Sequence, residues 1–271
     1  MIVPIAINKI IAIIKDCIAT GEITSDKIPS DNPIHQRLLK AYLLGKSYVK
    51  GNILELGCGE GRGISELGDL VNHYTALDKI DSAIEKLKLK YPHFRFESGH
   101  FPPIPFPNNS FDSIVSFQVI EHLENDTLFI KEIHRILKPG GCTILTTPNR
   151  KMTLSRNPWH TREYTATELR SLCLKYFRNV EIKGIKGNEK VMQYYNRNKI
   201  YVNQIMRFDF LDLQNRLPSA LLRIPYDLLN RINRNRLKMT EDTLVKSINH
   251  EDYLLAPEDE DNLDLFCILV K

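Results

Sequence analysis

The run NILELGCGEGRG, residues 52–63, limits the possible fold more than any other stretch of the chain. A short apolar segment stops on glycines at 57, 59 and 61, and helical spacing follows. A strand that feeds a tight glycine turn and then a helix is an opening unit of α/β folds, and glycines let backbone approach a ligand where a side chain would block it. Four more strand-like segments follow: HYTALD at 73–78, FRFES at 94–98, FDSIVSF at 111–117 and GCTILTT at 141–147. Helical spacing lies between several of them, at 81–90 and at 125–137, where Phe129, Ile133, Ile136 and Leu137 share one side. LKPGG at 137–141 closes the second helix, with Pro and Gly past its last turn. Strands alternating with helices predict a mostly parallel sheet covered on both faces.

The same rhythm runs on for one more unit. Thr165 and Glu168 form a T-x-x-E capping box for a helix at 166–176, and NVEIKGI at 179–185 reads as the next strand. From 188 to 262 the pattern is helical and polar, with stripes such as Val202, Ile205 and Met206, then Leu228, Leu229, Ile232 and Leu237. The chain closes on LDLFCILV, 263–270, an apolar strand expected inside or beside the main sheet. The expected organisation is therefore a helical segment at 1–48, a core at 49–187, a helical insertion at 188–262 and a final core strand at 263–271. Near the start, Ile7, Ile10, Ile11 and Ile14 suggest a helix after Pro4 that packs on the body, with attachment to a membrane surface as the alternative. Lys9 breaks that apolar run, which suits neither a signal peptide nor a membrane span.

Composition excludes several classes. The hydrophobic share of 42% is enough for a core, and the net charge of +4 is too mild to imply a nucleic-acid partner. No interleaved aromatic and basic groove covers the core, and no N-P-P-[FY] motif occurs, so nucleic acid is not the expected substrate. The five cysteines, Cys17, Cys58, Cys142, Cys173 and Cys267, form no CxxC pair. That favours a reducing, cytoplasmic setting over a disulfide scaffold or a Cys-rich zinc site.

The glycine turn narrows the ligand. Counted from Gly57, the third position of a G-x-G-x-x-G fingerprint is Arg62, and no G-K-[ST] follows. A glycine turn without a pyrophosphate device suggests a nucleoside ligand that lacks a diphosphate. Glu55 can orient the turn or attract a cationic ligand. Asp78, at the end of the second strand, can accept both ribose hydroxyls of an adenosine-like ligand; its bland alternative is a helix cap, a job Asp81 can also do.

These residues together resemble the class I S-adenosylmethionine-dependent methyltransferases, in particular the small-molecule subfamily of the ubiquinone- and menaquinone-biosynthesis type. Four blocks carry the resemblance in order: ILELGCGEGRG at 53–63, ALD at 76–78, IPFPNNSFDSIVSFQVIEHLEN at 104–125 and FIKEIHRILKPGGCTILTTPN at 129–149. It implies a Rossmann-like, seven-stranded α/β sheet, mostly parallel with an antiparallel last strand and helices on both faces. It also implies S-adenosylmethionine as cofactor. On that pattern Glu55, Gly57, Gly59 and Gly61 wrap the methionine part. Asp78 takes the ribose, while Lys79 and Ile80 flank the adenine. Gln118 lies near the methionine end. Where relatives often carry an acid toward the adenine amine, this chain has His100, so the Phe101 backbone N–H is the expected contact instead.

Transfer to a hydroxyl needs a base, whereas transfer to a carboxylate does not. His122, in QVIEHLEN, is one candidate base or substrate contact, against the plain reading of a structural histidine. Some relatives carry E-x-x-E-H there and hold a metal; Gln118 replaces the first Glu, so no metal is expected. The loop TTPNRKMTLSRNPWHTREYT offers His160 as base with Glu163 as its orienting partner, or else a packed cap with a surface His–Glu pair. Its N-P-W-H-x-x-E-Y run is similar to that of methyltransferases found with bacterial surface-polysaccharide genes. Residues 216–240 carry Arg216, Arg223, Arg231, Arg234, Arg236 and Lys238 against one acid, Asp227. The expectation there is a solvated helix face, with an anionic membrane or substrate as the functional alternative, and Pro225 starting or kinking the helix. The insertion is expected to shape the acceptor pocket or a homodimer contact. The expected activity is methyl transfer to an oxygen of a small molecule such as a sugar or glycolipid precursor. The alternatives are a non-catalytic partner subunit of this fold and a nicotinamide-dinucleotide dehydrogenase.

Overall fold

The computed structural model describes residues 28–271. The expected helix after Pro4 and Cys17 lie outside the described residues. The chain divides into two compact units. Of the described residues, one comprises 28–36 together with Leu154–His160 and Asn188–Asp252; the other comprises Arg37–Thr153, Thr161–Gly187 and Tyr253–Lys271.

The second unit holds a sheet of eight strands: β1 Asn52–Leu56, β2 His73–Asp78, β3 Arg95–Ser98, β4 Phe111–Phe117, β5 Leu137–Pro148, β6 Asn179–Gly187, β7 Tyr253–Pro257 and β8 Asp264–Val270. Their order is β3-β2-β1-β4-β5-β8-β6-β7. β1 to β5 pair in parallel, and β8 inserts antiparallel between β5 and β6. The parallel core and the antiparallel last strand are as expected. The sheet has one strand more than expected, because β7 adds antiparallel to the free edge of β6. YLLAP is short, its Leu254 is exposed, and Pro257 ends it, all features of an edge strand that lacks clean alternation.

The helices are α1 Asn32–Gly45, α2 Ile64–Leu67, α3 Asp81–Lys90, α4 Asp126–Ile136, α5 Ala166–Cys173, α6 Glu189–Met206, α7 Leu213–Arg216, α8 Ser219–Thr240 and α9 Asp242–Ser247. One face of the sheet, with Leu54, Leu56, Ile114, Leu145 and Leu269, packs on Phe129, Ile130 and Ile133 of α4 and Leu169 and Leu172 of α5. The capping box forms as expected: Thr165 Oγ1 accepts the Glu168 N–H and Glu168 returns a bond to the Thr165 N–H at 2.9 Å. α5 stops three residues earlier than expected because Tyr176 and Phe177 turn back onto the Cys173 carbonyl. LKPGG ends α4 as expected, with Leu137 at its C-cap. It opens β5, with Leu137 opposite Phe111 and Cys142 opposite Ser113, so the residues between them bulge out of register.

The first unit is helical, and it corrects the reading of 216–240. Arg231 and Arg234 converge on the fully buried Asp31, at 3.0 and 3.2 Å. Arg223 stacks 4.3 Å over Trp159, whose indole N–H donates to Asp227, and Arg236 lies 4.2 Å over Tyr201. Four of the six basic side chains are thus engaged within the unit, whereas Leu221, Ile224 and Ile232 of the same helix are more than half exposed. Pro225 lies inside α8, which starts at Ser219 after Pro218. Among the described residues no helix is long and apolar enough to cross a membrane.

Candidate functional site

The glycine turn leaves β1 at the carboxyl end of the sheet. Gly57 has φ +82°, and a Cβ there would sit 2.3 Å from Val119 Cγ2, so only glycine fits. Its N–H donates to the Leu77 carbonyl at 2.8 Å, which locks the turn to β2. Gly59 is different. It also has positive φ, +52°, but no atom lies within 4 Å of where its Cβ would be. The positive φ favours glycine, and the open face leaves room for a ligand to approach.

Asp78 joins the two halves of the site. It is buried at the end of β2; its Oδ2 accepts the Gly59 N–H at 2.7 Å and its Oδ1 accepts the Ile80 N–H at 3.0 Å. It is not the cap of α3, which begins after Ile80 without a side-chain cap. Each carboxylate oxygen keeps a further lone pair. An open glycine face hydrogen-bonded to an acid with spare acceptors fits a nucleoside cofactor whose ribose hydroxyls are donors.

Glu55, on β1, is fully buried. One oxygen accepts the Tyr42 hydroxyl at 2.7 Å and the other the Tyr74 hydroxyl. Burial pushes its carboxyl from 4.5 up to about 7; the nearby Asp78 pushes the same way, while the Tyr42 bond and Arg62 pull back. Gly63 lies against this pair, since a Cβ there would meet the Tyr42 ring at 2.3 Å and Glu55 Oε2 at 2.7 Å. Glu55 therefore fastens the turn to α1 through Tyr42.

The other expected residues take these places. Gly61 completes the turn with φ +82°. Lys79 is exposed and Ile80 half-buried beyond β2, and the Phe101 ring stacks on Phe129 at 5.8 Å. Gln118 follows β4 with φ +58°; its backbone N–H donates to the Thr146 carbonyl at 2.9 Å and its side-chain amide lies 3.3 Å from Thr146 Oγ1. His122 closes a short turn by donating its backbone N–H to Val119. Its neighbour Glu121 is buried and accepts the Thr147 hydroxyl at 3.0 Å. Glu163 accepts the Thr153 hydroxyl in the same unit. His160 belongs to the other unit, with its Nε2 2.8 Å from Asn157 Nδ2.

The structure thus brings Gly57, Gly59, Asp78 and Ile80 into one bonded cluster, with Val119 packed on Gly57. Sequence reasoning missed Tyr42, Tyr74, Arg37 and Asp264. Only Asp264 carried a signal, as a lone acid opening a strand that is otherwise wholly apolar.

Residues 54–145 match the family model of the methyltransferase domain. The fold is that of the class I S-adenosylmethionine-dependent methyltransferases. The chain is 36% identical over 160 residues to a protein of Mycolicibacterium smegmatis named "probable S-adenosylmethionine-dependent methyltransferase", covering 56% of this chain and 62% of that relative. It therefore spans under two thirds of the relative's length. A Thermotoga maritima methyltransferase, described as a "possible histamine N-methyltransferase", superposes with TM-score 0.56 at 14% identity over 88% of this chain and 91% of that one. The 4+2 cyclase SpnF superposes with TM-score 0.53 at 15% identity, over 86% and 80%. These two likenesses show the fold alone. The matches to the methyltransferase domain support S-adenosylmethionine as the cofactor.

Proposed function

We propose that the chain transfers a methyl group from S-adenosylmethionine to an oxygen, hydroxyl or carboxylate, of a small molecule. The observation that carries this reading is the open face of Gly59, bonded to a buried Asp78 with acceptors to spare. When bound, the cofactor supplies an electrophilic methyl on a sulfonium. The chain's own residues then bind and orient. The glycine turn holds the methionine end beside Gln118, Asp78 takes the ribose, and Lys79, Ile80 and the Phe101 N–H border the adenine. For a hydroxyl acceptor, the candidate bases are His160, with Glu163 as its orienting partner, and His122. Sugars and glycolipid precursors are the acceptors to screen first, because Asn157–Tyr164 resembles the run in enzymes encoded with surface-polysaccharide genes. Quinone precursors come second, following the wider resemblance.

Calorimetric titration of S-adenosylmethionine and S-adenosylhomocysteine into the wild type and Asp78→Ala tests the cofactor site. A hydrogen bond to a charged group is worth about 1.5–3 kcal/mol, so the substitution should weaken binding by at least about tenfold. Wild type that is folded and binds neither compound overturns the reading. Saturable binding of a nicotinamide dinucleotide instead moves the assignment to a dehydrogenase. Once an acceptor is found, the base is the histidine whose change to Ala lowers turnover while cofactor affinity stays unchanged. Loss of neither activity assigns a carboxylate acceptor.

A further inference from the structure

Asp264 is out of character for its strand. It opens β8, followed by Leu265, Phe266, Cys267, Ile268 and Leu269, and it is only 1% exposed. In the sheet it stands opposite Pro148, the last residue of β5, so it lies at the carboxyl end, where the glycine turn leaves β1. Arg37 of α1 reaches it, with Nε 3.2 Å from Oδ2. The Gln118 amide also faces the carboxylate, and Val119, next in sequence, packs on Gly57. Arg37, Asp264 and Gln118 are thus in contact in turn, and the next residue along the chain, Val119, touches the glycine turn.

The pair is a poor device for stability. Burial pushes the Asp264 carboxyl above its ordinary value, and Arg37 and Gln118 only partly offset this. A buried ion pair seldom stabilises more than apolar residues of equal volume. It does fix a guanidinium. Arg37 keeps 24% of its side chain exposed, and among the described residues its two terminal nitrogens take no hydrogen-bond partner. A guanidinium ion-paired through Nε, with its outer N–H groups left over at the ligand end of a sheet, can bind a carboxylate or phosphate through two parallel bonds.

We propose that Arg37 is an anion-binding residue of the acceptor site, positioned by Asp264, and that the methyl acceptor carries a carboxylate or a phosphate. The acceptor part of this statement rests on the methyltransferase reading; the anion site does not.

The full chain loaded with S-adenosylhomocysteine is titrated with acetate or inorganic phosphate at constant ionic strength, followed by calorimetry and by the Arg37 Nε–H NMR signal. The expected result is saturable binding of one anion that moves this signal. Arg37→Met should abolish the binding. Arg37→Lys, which keeps the charge without the fork, should weaken it by about tenfold, the scale of one lost hydrogen bond. Asp264→Asn should weaken anion binding while affinity for S-adenosylhomocysteine stays unchanged, a split that mere loss of stability would not give. A response to acetate alone assigns a carboxylate, and to phosphate alone a phosphate. Failure of both anions to bind overturns the proposal, as does equal affinity in Arg37→Lys. Anion binding without S-adenosylhomocysteine binding would sink the methyltransferase reading and leave the anion site standing; the reverse would sink only the anion site.

Discussion

Glu55 is buried against two phenol hydroxyls, so its proton matters as much as its partners. Its carboxyl sits at about 7 in the folded chain against an ordinary value of 4.5. Over that interval the folded state holds a proton that the unfolded state has released. The stabilising contribution is complete below 4.5 and is lost as pH rises through about 7. One such proton changes stability by at most about 1.4 kcal/mol per pH unit. Glu55→Gln keeps an acceptor for one tyrosine and cannot ionise. Urea unfolding at several pH values should show the wild type losing stability between 4.5 and about 7 more steeply than Glu55→Gln. Equal slopes would mean that Glu55 does not carry the proton.

Elements were legible wherever their own pattern decided them. The five parallel strands, α4 and the capping box of α5 are set by local periodicity and by side chains that cap the neighbouring backbone, so the sequence announces them. Thr165 illustrates the scale, since such a cap is worth about 1 kcal/mol and depends only on Glu168 three residues on. The elements that were misjudged depend on partners far along the chain. β7 is a strand because β6 offers it a free edge, and Lys138–Gly141 bulge because β4 sets the register of β5. The basic run on α8 faces Asp31, Trp159 and Tyr201, between 35 and more than 200 positions away, and no helical wheel shows that. The site divides the same way. The glycine turn and Asp78 lie on consecutive strand ends, so spacing found them. Tyr42 and Arg37 reach Glu55 and Asp264 only because α1 is placed over the ends of strands it does not adjoin in sequence.

At the scale of the whole molecule, the glycine turn, Asp78, Gln118, Arg37 and Asp264 all belong to the unit that contains the sheet. A ligand that binds only the folded state stabilises it by RT ln(1 + [L]/Kd), about 2.7 kcal/mol at a hundredfold excess over Kd. If the cofactor's contacts are confined to this unit, that energy belongs first to the sheet. Amide hydrogen exchange with and without S-adenosylhomocysteine reads it directly. Amides of β1, β4, β5 and β8 should slow by up to about a hundredfold in that excess, the same energy expressed as a ratio. Amides in the middle of α8, whose charged side chains are tied to Asp31, Trp159 and Tyr201 within the helical unit, should change far less. Equal slowing in α8 would show that the two units unfold together, so that the helical unit shares the cofactor's binding energy without touching the cofactor.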